Sequence, residues 1–125
     1  SFEDLISKSD IISFHCKAPK DGKPMITKEH YKKMKPTAYI INAARGNIVD
    51  EKDLHEALNE NLIAGAAVDV FSKEPAKENI LFNNPKVVLT PHIAASTTEA
   101  SIVVAEMVAN QLSDFLLKGV KINTV

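Results

Sequence analysis

Basic surface charge, cysteine pairs and long apolar runs are all missing from this chain, and each absence narrows what it can be. Fifteen lysines and arginines stand against sixteen aspartates and glutamates, for a formal net charge of -1. Without a basic tail or patch, a nucleic-acid or membrane-surface protein is not expected. The nearest thing to a basic cluster, Lys28, Lys32, Lys33 and Lys35, falls on an expected helix and its exit, and reads as a solvated face. Cys16 is the single cysteine, which excludes an intrachain disulfide and a multi-cysteine metal site; no metal is expected, and a reducing compartment fits. No stretch approaches the apolar length of a transmembrane helix, and no signal peptide is recognisable, so no membrane is expected. The chain opens at Ser1 directly on a helical pattern, which is the expectation for a piece of something longer. What is present, 45% apolar and 25% charged residues over 125 positions, is ordinary soluble globular material, enough for one small domain with its own core.

Apolar runs alternate with amphipathic ones. Residues 10–16 (DIISFHC), 38–44 (AYIINAA), 64–71 (AGAAVDVF) and 86–92 (KVVLTPH) read as short strands, apolar on both sides as strands covered on two faces require. Residues 27–35 (TKEHYKKMK) and 50–62 (DEKDLHEALNENL) read as helices between them. In the second, Leu54, Ala57, Leu58 and Leu62 make one stripe, and Asp50 is placed to cap the N-terminus. The longest helix is expected over 96–119, with Ser96 and Glu99 at capping-box spacing, Gly119 as the stop, and a broad buried stripe of Val104, Met107, Val108, Leu112, Phe115 and Leu116. Strand and helix in alternation predict an α/β fold with a parallel sheet of about four strands. The long link from Val70 to Lys86 carries no period and is expected to be a functional loop.

Ligands gather at the carboxyl ends of parallel strands. Standing there are His15 and Cys16, then Ala43 to Arg45, then Asp69, then Pro91, His92 and Ala94, with Glu74 and Pro75 in the loop beyond Asp69. Each has a bland reading alone: an aspartate caps a turn, a histidine packs in a core, an arginine closes a loop. Together they form a working set. An arginine holds a carboxylate through two parallel charge-assisted hydrogen bonds. A histidine moves a proton near neutral pH, and a glutamate beside it fixes its tautomer and favours its charged form.

The segments INAARGNIVDEKDLHEAL, AGAAVDVFSKEP and VVLTPHIAASTTEA resemble, in order and spacing, the successive signatures of the D-isomer-specific 2-hydroxyacid dehydrogenases, and the likeness runs from about Phe2 to the last residue. The resemblance implies an NAD-dependent oxidoreductase interconverting a small-molecule 2-hydroxy acid and its 2-oxo acid, cytoplasmic, and a homodimer or homotetramer. The ending is most similar to the branch acting on 3-phosphoglycerate in serine biosynthesis. A glyoxylate or hydroxypyruvate reductase is the alternative, and an NAD-sensing corepressor of the same fold is the non-enzymatic one. It further implies that Arg45 clamps the substrate carboxylate, that His92 exchanges the proton with the substrate oxygen, and that Glu74 is the partner of His92. Cofactor contacts fall by the same resemblance on Cys16, Ala43, Ala44, Arg45, Asp69, His92 and Ala94. Two positions depart from the family pattern: Cys16-Lys17 stand where a small hydroxyl residue and a proline are common, and Ala94 where glycine is common.

One family feature has no counterpart. The four glycines, Gly22, Gly46, Gly65 and Gly119, form no G-x-G-x-x-G turn, the device that grips a dinucleotide pyrophosphate. Residues 1–125 are therefore expected to be the carboxyl-terminal, nicotinamide-side half of a Rossmann-type NAD-binding domain, without its glycine-rich first half or a substrate domain, and poor at holding NAD by itself.

Overall fold

In the computed structural model, which describes residues 1–123, four short strands form one parallel sheet in the order β1–β2–β3–β4. They are β1 (Ile11–Phe14), β2 (Tyr39–Asn42), β3 (Gly65–Val68) and β4 (Val87–Leu89), and the helices are α1 (Phe2–Lys8), α2 (Lys28–Tyr31), α3 (Glu51–Asn59) and α4 (Thr98–Lys118). The parallel α/β expectation holds. The strands are shorter than the apolar runs because their last residues turn away to build the sheet's carboxyl edge. The chain divides into two compact units, Ser1–His92 and Ile93–Val125.

The first unit carries the core. Ile12, Phe14, Ile40, Ala66 and Val68 point to the sheet face on which Ile6 of α1 and Leu54, Ala57 and Leu58 of α3 are also buried. Asp50 caps α3 as expected, accepting from the N–H groups of Lys52 (3.0 Å) and Asp53 (2.9 Å). Helix α2 is one turn long instead of the expected nine residues; Pro36 disfavours helical backbone at Lys35, and the chain turns out after Tyr31. Lys28 joins α2 to α3 through Glu56 (3.0 Å) and Glu60 (2.7 Å), and Lys32, Lys33 and Lys35 each meet a carboxylate, of Glu29, Glu3 and Asp10.

Coverage of both sheet faces is not what this chain shows. The strands alternate, and the second face is bare: Ile11, Tyr39 and Val88 are 60%, 50% and 67% exposed. An apolar run therefore marks a face able to be covered, while the covering depends on what else is present.

In the second unit, Thr97 rather than Ser96 caps α4, its hydroxyl accepting from Ala100 N–H at 3.1 Å, because the helix begins one residue later than the capping-box spacing suggests. Gly119 ends it with φ 68°, and the N–H groups of Gly119 and Val120 return to the carbonyls of Phe115 and Asp114, a Schellman closure. The expected buried stripe is exposed at every position, from Phe115 (46%) to Leu116 (69%), since no described residue of this unit covers it. By length and composition α4 is also apolar enough to cross a membrane, contrary to the expectation that no stretch approaches that length. Glu99, Glu106, Asn110 and Ser113 nevertheless gather on one side of it, the pattern of an amphipathic helix.

Candidate active site

A buried amide shapes the turn that carries Arg45. Asn42, the last residue of β2, is 1% exposed. Its Nδ2 donates to the Arg45 carbonyl at 3.0 Å, and its Oδ1 accepts from Ala44 N–H at 3.3 Å. Its main-chain carbonyl accepts from Asp69 N–H at 2.9 Å, which joins the ends of β2 and β3. From the sequence Asn42 reads as one more residue of the strand 38–44; a polar side chain inside that otherwise apolar run is the available signal. After Arg45 the chain enters a 3₁₀ turn, Gly46–Ile48, held by Met25 and Ile26 N–H groups on the Ile48 carbonyl. Gly46 is needed there for close approach and not for an unusual backbone angle: a Cβ on it would lie 2.0 Å from the Phe71 carbonyl group.

The loop between β3 and β4 brings the acid to the histidine. Glu74 Oε1 accepts from Phe71 N–H at 2.9 Å, and Glu74 Oε2 lies 2.7 Å from His92 Nδ1. The Phe71 N–H first, and His92 second, hold the Glu74 carboxyl below the usual carboxylate range. His92 takes a left-handed backbone, φ 57°, uncommon for this residue, and its N–H donates to the Asp69 carbonyl at 2.8 Å. With Nδ1 on Glu74, Nε2 is the ring nitrogen left to meet a ligand. Asp69 is itself buried, and Thr90 donates its hydroxyl to the Asp69 carboxylate at 2.5 Å.

Two open cavities meet at Arg45. One, of about 370 Å3, is lined by Arg45, Asn47, Phe71, Glu74 and His92 among others. The other, of about 570 Å3, is lined by His15, Cys16, Lys17, Ala18, Ala43, Ala44 and Arg45. The three expected catalytic residues thus share one cavity, and three of the expected cofactor residues, Cys16, Ala43 and Ala44, share the next with Arg45. Asp69 lines neither and supports the edge from beneath. Ala94 falls in the second unit. The small side chains of Ala43 and Ala44 leave room for a flat ring beside the sheet edge, so the residues present fit the nicotinamide side of NAD. Gly22 and Gly46 lie between a strand and the helix that follows it, but neither belongs to a G-x-G-x-x-G turn.

Comparison with known proteins identifies the family. Residues 1–94 match the model of the D-isomer specific 2-hydroxyacid dehydrogenase, NAD binding domain. The chain is 43% identical over 115 residues to D-3-phosphoglycerate dehydrogenase of Bacillus subtilis (strain 168), covering 92% of this chain and 22% of that protein. It is 48% identical over 118 residues to glyoxylate reductase of Thermofilum pendens, covering 92% and 34%. Among solved structures, a glyoxylate reductase from Paecilomyes thermophila superposes with a TM-score of 0.85 at 34% identity, covering 98% of this chain and 37% of that one. The NAD-complexed D-isomer specific 2-hydroxyacid dehydrogenase of Lactobacillus delbrueckii ssp. bulgaricus superposes with a TM-score of 0.80 at 30% identity, covering 98% and 42%. The chain thus spans between a fifth and a third of the length of these curated relatives. Since the family model covers residues 1–94 and the fold is the parallel sheet of the superposed structures, the chain belongs to the D-isomer specific 2-hydroxyacid dehydrogenase family, within its NAD binding domain.

Proposed function

We propose that the protein carrying this chain is an NAD-dependent oxidoreductase that interconverts 3-phosphoglycerate and 3-phosphohydroxypyruvate, and that this chain supplies the nicotinamide-side half of its cofactor domain. The observation that carries the reading is the convergence of Arg45, Glu74 and His92 on one cavity, with His92 Nδ1 2.7 Å from Glu74 Oε2. Arg45 takes the substrate carboxylate in its guanidinium fork, which fixes the reacting carbon toward the cavity of Cys16, Ala43 and Ala44. NAD, when bound there, supplies or accepts the hydride. His92 gives a proton from Nε2 to the carbonyl oxygen during reduction and takes it from the hydroxyl during oxidation. Glu74 holds the ring in that tautomer and stabilises its charged form. The assembled enzyme is proposed to be a homo-oligomer that takes its pyrophosphate grip and substrate domain from outside residues 1–125.

The choice of substrate follows the relatives named D-3-phosphoglycerate dehydrogenase, which match over 92% and 97% of this chain in Bacillus subtilis and Archaeoglobus fulgidus. A second reading, reduction of glyoxylate or hydroxypyruvate, is favoured by the 48% identity to the Thermofilum pendens enzyme. The test is NADH oxidation by the full-length protein with 3-phosphohydroxypyruvate, hydroxypyruvate and glyoxylate. The expected result is the highest kcat/KM for the phosphorylated acid. Preference for glyoxylate installs the second reading, and NADH binding without turnover of any 2-oxo acid overturns the enzyme reading in favour of a sensor.

A further inference from the structure

Glu51 is the first residue of α3, and an acid there ordinarily serves the helix dipole. Its carboxylate here does more. Oε1 accepts from Ser72 N–H at 2.7 Å, while Oε2 accepts from the Ser72 hydroxyl at 3.0 Å and from Asn79 Nδ2 at 2.9 Å. All three donors lie in the loop between β3 and β4, 21 and 28 residues away along the chain. That loop carries Glu74. Ser72 follows Phe71, whose N–H holds Glu74 Oε1, and Asn79 fixes the far side of the loop and bonds Leu81 N–H through its own Oδ1 at 2.9 Å. A helix-dipole role needs none of these loop donors, and a loop of this length has no regular structure of its own to place Glu74.

We infer that Glu51 is a positioning residue for proton transfer: by holding the loop at Ser72 and Asn79 it sets Glu74 against His92. The inference rests on the His92–Glu74 pair acting as proposed above. Glu51 touches no reacting atom; it acts through Glu74. The charged groups around His92 are Glu74 from the loop, Arg45 from the turn after β2, which lines the same cavity, and the buried Asp69 carboxylate, which acts on Glu74; of these Glu74 alone has a stated contact with the ring, so displacing it withdraws the carboxylate partner of the protonated form. Glutamine cannot replace Glu51, because its amide turns an N–H₂ toward a donor. Aspartate is one methylene too short to keep both contacts.

The test is the pH-rate profile for 2-oxo acid reduction in the full-length enzyme, for wild type, Glu51→Gln, Glu74→Gln and the double variant. Glu51→Gln is expected to lower kcat by roughly an order of magnitude and to move the alkaline limb to lower pH, with KM for NADH unchanged. The double variant is expected to shift no further than Glu74→Gln alone, the signature of two residues acting through one path. A limb that stays put in Glu51→Gln, or two shifts that add, overturns the assignment while leaving the dyad standing. An unmoved limb in Glu74→Gln removes the dyad and the Glu51 role with it. If Glu51→Gln does not fold, the combined Ser72→Ala, Asn79→Ala variant removes two of the three hydrogen bonds from the loop side. The same limb shift is expected there, and its absence counts equally against the proposal.

Discussion

The backbone of Phe71 runs so close to Gly46 that a Cβ on the glycine would sit 2.0 Å from both the carbonyl carbon and the carbonyl oxygen, and 2.5 Å from Ser72 N. Two segments meeting there come from different strand ends: the turn that presents Arg45 and the loop that presents Glu74. Rigid backbone against rigid backbone leaves nothing to yield. Gly46→Ala is therefore expected to destabilise the protein by about 3 kcal/mol or more, and to lower kcat/KM at a temperature where the variant is still folded. Calorimetry together with kinetics checks this; an unchanged Tm would show that the turn and the loop do not pack as described.

Arg45 stands where two cavities meet, with Nη1 donating to the Ala44 carbonyl at 2.6 Å. That bond orients the guanidinium and leaves its remaining N–H groups for a carboxylate. Lysine keeps the charge and loses the planar fork. Arg45→Lys in the full-length enzyme is expected to lower kcat/KM for the 2-oxo acid roughly 100-fold, as steady-state kinetics would read. Equal steady-state kinetics would remove the clamp role.

For Glu74 the sign of the pH dependence follows from its partners. Phe71 N–H and then His92 hold its carboxyl below the ordinary value of 4.5. A carboxyl lowered in the folded state contributes stability above its unfolded value and loses it as pH falls through the lower folded one. The contribution of Glu74 is thus expected to be complete at neutral pH and to disappear only on strong acidification. In the proposed reaction, reduction needs a proton on His92, so its rate is expected to fall on the alkaline side and oxidation to show the mirrored limb. Glu74→Gln removes the charge that favours imidazolium, and both limbs are expected to move to lower pH. Paired pH-rate profiles that superpose for variant and wild type would dismiss the dyad.

Tyr31 is fully buried, and its hydroxyl has no hydrogen-bond partner among the described residues. Burial first, then Asp53 and Asp50, push its ionisation upward, so it stays neutral. A buried donor without an acceptor is a liability that its removal relieves. Tyr31→Phe is expected to leave activity unchanged and to raise stability by up to about 1 kcal/mol, read by urea unfolding. A loss of stability would mean that the hydroxyl is satisfied in solution.

Much of the site was readable in the sequence because parallel strands place chemistry at one edge. The apolar runs 38–44, 64–71 and 86–92 put Arg45, Asp69 and His92 in or within a residue of the expected strand ends, although the strands themselves stop earlier, at Asn42, Val68 and Leu89. The caps of α3 and α4 are local events, legible to within a residue at Asp50 and one residue out at Thr97. Contacts across the chain were not legible. Nothing in the spacing says that Glu51 reaches Ser72 and Asn79, that Asn42 turns inward on Arg45, or that Gly46 serves a close approach and not a sharp bend. Burial was legible only as a potential: Val104, Met107, Val108, Leu112, Phe115 and Leu116 form an apolar stripe that this chain leaves exposed. Periodicity is set by a residue's own neighbours in sequence, and the sequence alone determined it. Which surface a stripe meets, and which carboxylate a distant N–H finds, depend on backbone segments brought together only when the sheet assembles, and the tertiary structure alone decided them.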